Sequence, residues 1–81
     1  MTAEDNPAPV PATVLDCRGQ RCPLPVIELA RHLGSVPVGA VIRLLADDPA
    51  APGDVAAWCR MRGQEFVGAP AADTLDVRRL H

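Results

Sequence analysis

The 81-residue sequence predicts an α/β (α+β) two-layer sandwich: a β-α-β-α-β-β order, a mixed four-stranded sheet, and two helices on one of its faces. Three observations predict it. Two stretches carry apolar residues at helical spacing, four short β-rich runs surround them, and Gly, Pro and Asp punctuate the joins. Two amphipathic helices must bury their apolar stripes somewhere, and one face of a sheet is the economical solution. A chain of this length makes one domain and buries only about 60% of the surface it exposes when unfolded.

Residues 1–12 (MTAEDNPAPVPA) place prolines at 7, 9 and 11, a pattern that favours extended, solvated backbone and reads as a disordered tail. The folded domain is expected over 13–81. Thr13 to Cys17 is short and β-rich, a first strand. Arg18 to Arg21 then turns, with Gly19 able to supply a positive φ. From Pro23 the period becomes helical: Val26, Leu29, Ala30 and Leu33 recur at i, i+3, i+4 and i+7, and Gly34 is placed to end the helix as its C′ residue. Ala40 to Ala46 is a mostly apolar second strand. Asp47-Asp48-Pro49 leaves that strand and leads into a second helix, because Asp caps well and Pro suits a first turn. Pro52-Gly53 blurs where that helix starts. Val55, Trp58, Cys59 and Arg62 share one of its faces, and Gly63 closes it. Gln64 to Ala69 and Thr74 to Leu80 are the last two strands, joined by a turn around 70–73.

Composition narrows the function. The net charge is −2 and every basic residue is Arg. No dense basic stripe exists to neutralise phosphates, which argues against direct, high-affinity nucleic-acid binding. No stretch approaches the roughly 18 apolar residues of a membrane span, and no charged n-region precedes an apolar h-region, so a cytoplasmic location is expected. Three cysteines make no disulfide framework and fit a reducing compartment. They lack the paired short spacings of a zinc site, so no metal is expected. With Trp58 and Phe66 as the only aromatics, the core is aliphatic and a surface site is expected. A monomer is expected.

Cys22-Pro23-Leu24-Pro25 is the run that carries chemistry. Two prolines fit a helix's first turn because its first four N–H groups have no internal partners. With the prolines at N1 and N3, Cys22 falls at the N-cap and the Leu24 amide is the main local donor left for its sulfur. The positive end of the helix dipole favours an anion there, and Arg18 and Arg21 can add to that field. A lowered thiol pKa raises the thiolate fraction, which governs attack at sulfur. The expectation is therefore a surface nucleophile, stiffly presented and easily ionised.

The run from Leu15 to Pro25 (LDCRGQRCPLP) resembles the TusA/SirA-like sulfur-carrier family, whose hallmark is Cys-Pro-x-Pro at the start of the first helix. The likeness continues at Gly39, at Ala46-Asp47-Asp48-Pro49, and at Asp54 and Cys59, and it spans about residues 13–80. The resemblance implies the same β-α-β-α-β-β fold. It also implies that Cys22 carries a persulfide, received from a cysteine desulfurase or rhodanese-type donor and handed to an acceptor protein. That covalent sulfur stands in place of any cofactor. Relatives serve tRNA 2-thiouridine formation, molybdenum-cofactor assembly or sulfur oxidation, and a related subgroup handles selenium. A carrier of this kind takes part in sulfur transfer without a complete turnover of its own.

The remaining residues have two readings each. Cys17 either fills a strand end as a small hydrophobe or resolves Cys22 as a disulfide, which would make the protein a thiol redox enzyme or sensor. Asp47 and Asp48 are strand-exit and capping residues or docking groups. Arg18 and Arg21 are surface turn residues, or they favour the anionic sulfur and dock an acidic partner. Cys59 lies on the buried stripe of the second helix and reads as a core thiol.

Overall fold

The computed structural model describes residues 10–81. The tail expected through residue 12 therefore lies outside the described residues for 1–9. At Ala12 the chain is already tied down, its N–H donating to the Val41 carbonyl at 2.8 Å.

Six main elements follow in the expected order: β1 (Thr13–Asp16), α1 (Leu24–His32), β2 (Val41–Leu45), α2 (Ala51–Arg62), β3 (Glu65–Ala71) and β4 (Thr74–Arg78). The sheet order is β1-β2-β4-β3. β1 runs parallel to β2, while β2–β4 and β3–β4 are antiparallel, so the sheet is mixed. The period-2 alternation of the strands decides which residues face the helices. Ile42 and Leu44 of β2 and Leu75 and Val77 of β4 join Leu29 of α1 and Val55, Trp58 and Cys59 of α2 in one core, with Leu15, Val26 and Phe66 packed at its edge. This is the two-layer arrangement expected of two helices with one apolar stripe each. On the alternate positions of β2 and β4, Arg43 lies opposite Asp76 in register. Arg43 Nε and Nη2 donate to the two Asp76 carboxylate oxygens, both at 2.9 Å. Asp76 is almost fully buried, and this fork-to-fork pair supplies its partners.

One helix end follows expectation and the other does not. Gly63 closes α2 in the left-handed region at φ 71°, and its N–H donates to the Cys59 carbonyl. Gly34 does not do the same for α1. The chain tightens instead into a 3₁₀ turn over Leu33–Ser35, and the Val36 N–H donates to the Leu33 carbonyl. That turn satisfies a terminal carbonyl without a left-handed residue.

Candidate functional site

Cys22 lies in the connection between β1 and α1, where the β2–α2 turn meets it. The prolines after it do not sit where first-turn arithmetic puts them. Pro23 is the N-cap at φ −95°, ψ 16°, and α1 begins at Leu24. The Pro23 carbonyl accepts the first helical bond, from the Ile27 N–H at 3.0 Å. Cys22 therefore stands one residue outside the cap, and the expected N-cap position is corrected. The Leu24 amide is not free for the sulfur either, because it donates to the Arg21 carbonyl at 2.9 Å. Pro25 is fully buried and pins the start of the helix into the core, whereas Leu24 is half exposed. Gly19 adopts the positive φ expected of it, 85°.

The loop that carries Cys22 is held by carboxylates. Asp47 Oδ1 accepts the Gly19 N–H at 2.9 Å. Asp48 Oδ2 accepts the Cys22 N–H at 3.0 Å, and its Oδ1 accepts the Ala50 N–H at 2.8 Å. The Asp48 carbonyl also accepts the Ala51 N–H. One residue thus ties the backbone of Cys22 to the first turn of α2. These donors hold the Asp48 carboxyl below the ordinary carboxylate range. A cleft of about 380 Å³ runs beside the junction, lined by Gly19, Gln20, Arg21, Asp47, Asp48 and Pro49.

The electrostatics at the sulfur reverse the sequence expectation. Cys22 is half-buried and packs against the core. Its thiol is pushed up to about 11, first by burial and then by the neighbouring carboxylates of Asp54 and Asp48. Arg18 does not favour the anion, because its guanidinium is engaged by Asp16, with Nη2–Oδ2 at 2.7 Å and Nε–Oδ1 at 2.9 Å. The same contact holds Asp16 down at about 2. Arg21 acts on Asp48. The resting sulfur is therefore a protonated thiol in an acidic setting, not a ready thiolate. Asp54, which carries part of the family likeness but was given no site role in the sequence reading, stands in the first turn of α2.

Cys17 and Cys59 are both buried in the core, at 2% and 1% exposure. Burial pushes Cys59 up to about 11 and raises Cys17 as well. Cys22 is thus the most accessible of the three thiols. An apolar groove of about 220 Å³ lies beyond it between the two helices, lined by Pro23, Val26, Asp54, Ala57, Trp58 and Met61. No helix among the described residues is long and apolar enough to cross a membrane.

Comparison with known proteins agrees with the geometry. Residues 13–79 match the family model described as Sulfurtransferase TusA. A protein of Neisseria meningitidis, named as a presumed sulfur carrier, is 39% identical over 59 residues, covering 73% of this chain and 80% of its own length. The sulfur carrier protein TusA of Pseudomonas putida is 33% identical over 57 residues, covering 70% and 71%. The crystal structure of a SirA-like protein from Desulfitobacterium hafniense superposes with a TM-score of 0.60 at 24% identity, over 80% of this chain and 90% of that one. That last likeness speaks to the fold.

Proposed function

Because the chain belongs to the TusA sulfurtransferase family, matched from residue 13 to 79, we propose that it is a sulfur carrier and that Cys22 is the residue that holds the sulfur. One observation carries the assignment to Cys22: of the three thiols, it alone is only partly buried, just before α1, while Cys17 and Cys59 are buried. A sulfur that must meet a partner has to be reachable.

The transfer needs little from the protein. The Cys22 sulfur attacks the terminal sulfur of a donor persulfide. One S–S bond forms on Cys22 as the donor's breaks, the donor leaves as a thiol, and the proton lost by Cys22 balances the one the donor gains. The persulfide on Cys22 then passes its outer sulfur to an acceptor by the same exchange. The half-exposed Leu24 and Ile27 at the start of α1, and the exposed Met61 along the groove between the helices, offer apolar contact to a docked partner. The donor is of the cysteine desulfurase or rhodanese type, and both encounters take place in the cytoplasm. The acceptor belongs to tRNA thiolation, molybdenum-cofactor assembly or sulfur oxidation.

Intact-mass spectrometry after incubation with a desulfurase and cysteine, or a rhodanese and thiosulfate, tests this reading. Wild type should gain one sulfur atom that a reductant removes, and Cys22→Ser should gain none. Unmodified wild type across both donor classes, from folded protein with a free thiol, would sink it.

A further inference from the structure

The cleft beside the sulfur-bearing loop holds opposite charges that do not meet. It measures about 380 Å³ and is lined by Gly19, Gln20, Arg21, Asp47, Asp48 and Pro49, a size within the roughly 300–1,000 Å³ of small-molecule sites. Arg18, Arg43 and Arg78 each grip a carboxylate, but Arg21 forms no ion pair among the described residues. Both oxygens of Asp48 are taken, by the N–H groups of Cys22 and Ala50. Asp47 uses only Oδ1, which accepts the Gly19 N–H at 2.9 Å, and its Oδ2 accepts nothing from the described residues. Gln20 supplies a second unmet acceptor, since its Oε1 is buried and has no hydrogen-bond partner among them. An unpaired buried acceptor is costly. The Gln20 backbone is fixed, its N–H donating to the Cys17 carbonyl at 3.1 Å, so only the side chain has to turn to meet a donor in the cleft.

We propose that this cleft binds the head group of a free α-amino acid: the ammonium pairs with Asp47 Oδ2 and Gln20 Oε1, and the carboxylate pairs with the Arg21 guanidinium. Each charged group of the ligand answers one that the fold leaves unmet. A single charge fits less well. A lone cation leaves Arg21 unpaired, and a lone anion lies against two carboxylates. A peptide terminus carries only one of the two groups and falls short in the same way. Charge-assisted hydrogen bonds are the strong ones, and a guanidinium suits a carboxylate in particular. The walls are set before the ligand arrives, because Asp47 holds Gly19 and Asp48 holds Cys22 by their N–H groups, and a preorganised site loses less on binding. Arg21 precedes Cys22 in the chain and Asp48 accepts the Cys22 N–H at 3.0 Å, so an occupied cleft is felt at the backbone that carries the sulfur. The site adds a small-molecule ligand to the carrier role and does not depend on that role.

The test titrates the full ¹⁵N-labelled chain at neutral pH with three probes and follows the amide and side-chain N–H signals by NMR. L-Alanine carries both charges, L-alaninamide only the ammonium, and N-acetyl-L-alanine only the carboxylate. L-Alanine should shift the Gly19, Gln20 and Cys22 amides and the Gln20 side-chain signals along one saturable curve, and each single-charge probe should bind about tenfold or more weakly. Arg21→Gln should weaken L-alanine by about tenfold or more and leave L-alaninamide unchanged. Asp47→Asn keeps an oxygen for the Gly19 N–H but removes the charge, and it should weaken L-alanine and L-alaninamide alike. If Asp47→Asn fails to fold, the three probes on wild type and the exposed Arg21→Gln variant decide the matter. No saturable shift in wild type, equal binding of the three probes, or L-alanine binding unchanged in folded Arg21→Gln overturns the proposal. These readouts need no sulfur donor, so they fail independently of whether Cys22 can be loaded.

Discussion

Asp48 holds Cys22 by the backbone, accepting its N–H at 3.0 Å with one carboxylate oxygen while the other accepts the Ala50 N–H at 2.8 Å. The bond spans 26 residues. It makes the position of the sulfur depend on a turn that lies on the far side of the first crossover.

Removing this tie loosens the site before it unfolds the domain. Asp48→Ala should lower the urea midpoint and increase hydrogen exchange at the Cys22 amide, with a smaller effect for Asp47→Ala, which loses only the bond from Gly19. The donors hold the Asp48 carboxyl below its ordinary range. Its contribution is therefore present above the unfolded value of 3.8 and is lost as pH falls through the lowered native value. Acid titrations of wild type and Asp48→Asn should converge at low pH. Parallel curves throughout would contradict this role.

Native alkylation should separate the thiols. A neutral reagent at mildly alkaline pH should modify Cys22 first, and Cys17 and Cys59 only once the chain is denatured, because both are buried in the core. Cys17→Ala should leave sulfur loading intact. If Cys17 is labelled in the native state at a rate comparable to Cys22, it is available as a resolving thiol and the redox reading regains ground.

Alkali should destabilise the fold through the same thiols. The unfolded chain ionises Cys59 near 9.0, but the native state does so only near 11. The unfolded state thus releases its proton first, so the contribution is complete below pH 9 and is lost as pH rises through 11. A shift of this size corresponds to about 3 kcal/mol, at about 1.36 kcal/mol per unit. Cys22 adds a loss of the same sign. Urea midpoints measured on either side of this window should fall less for Cys59→Ala than for wild type. Equal losses would show that Cys59 is not the group responsible.

The fold was legible because it rests on local periodicity. Ile42 and Leu44, Leu75 and Val77, and Val55, Trp58 and Cys59 all face the core as their spacing requires. The connection that carries Cys22 was legible in part, since two prolines after a cysteine suit a helix start, although the cap falls on Pro23 and not on Cys22. Its electrostatics were not. Local reasoning placed the helix dipole and two arginines beside Cys22, but Arg18 is taken by Asp16 and the carboxylates whose charges act on the thiol, Asp48 and Asp54, come from beyond the second strand. The Arg43–Asp76 pair was hidden for the same reason, spanning 33 residues. The end of α1 failed differently: a glycine after a helix permits a left-handed cap, but the 3₁₀ turn satisfied the same carbonyl.

The most direct measurement is peptide mapping of the protein after sulfur loading, with free thiols and persulfides blocked by an alkylating agent before digestion. Trypsin cuts after Arg21 and Arg31 and so isolates Cys22 from Cys17 and Cys59. The account predicts that the added sulfur appears on the Cys22–Arg31 peptide and that the peptides bearing Cys17 and Cys59 stay unmodified. Sulfur found on either of those peptides, with the Cys22 peptide unchanged, would contradict it.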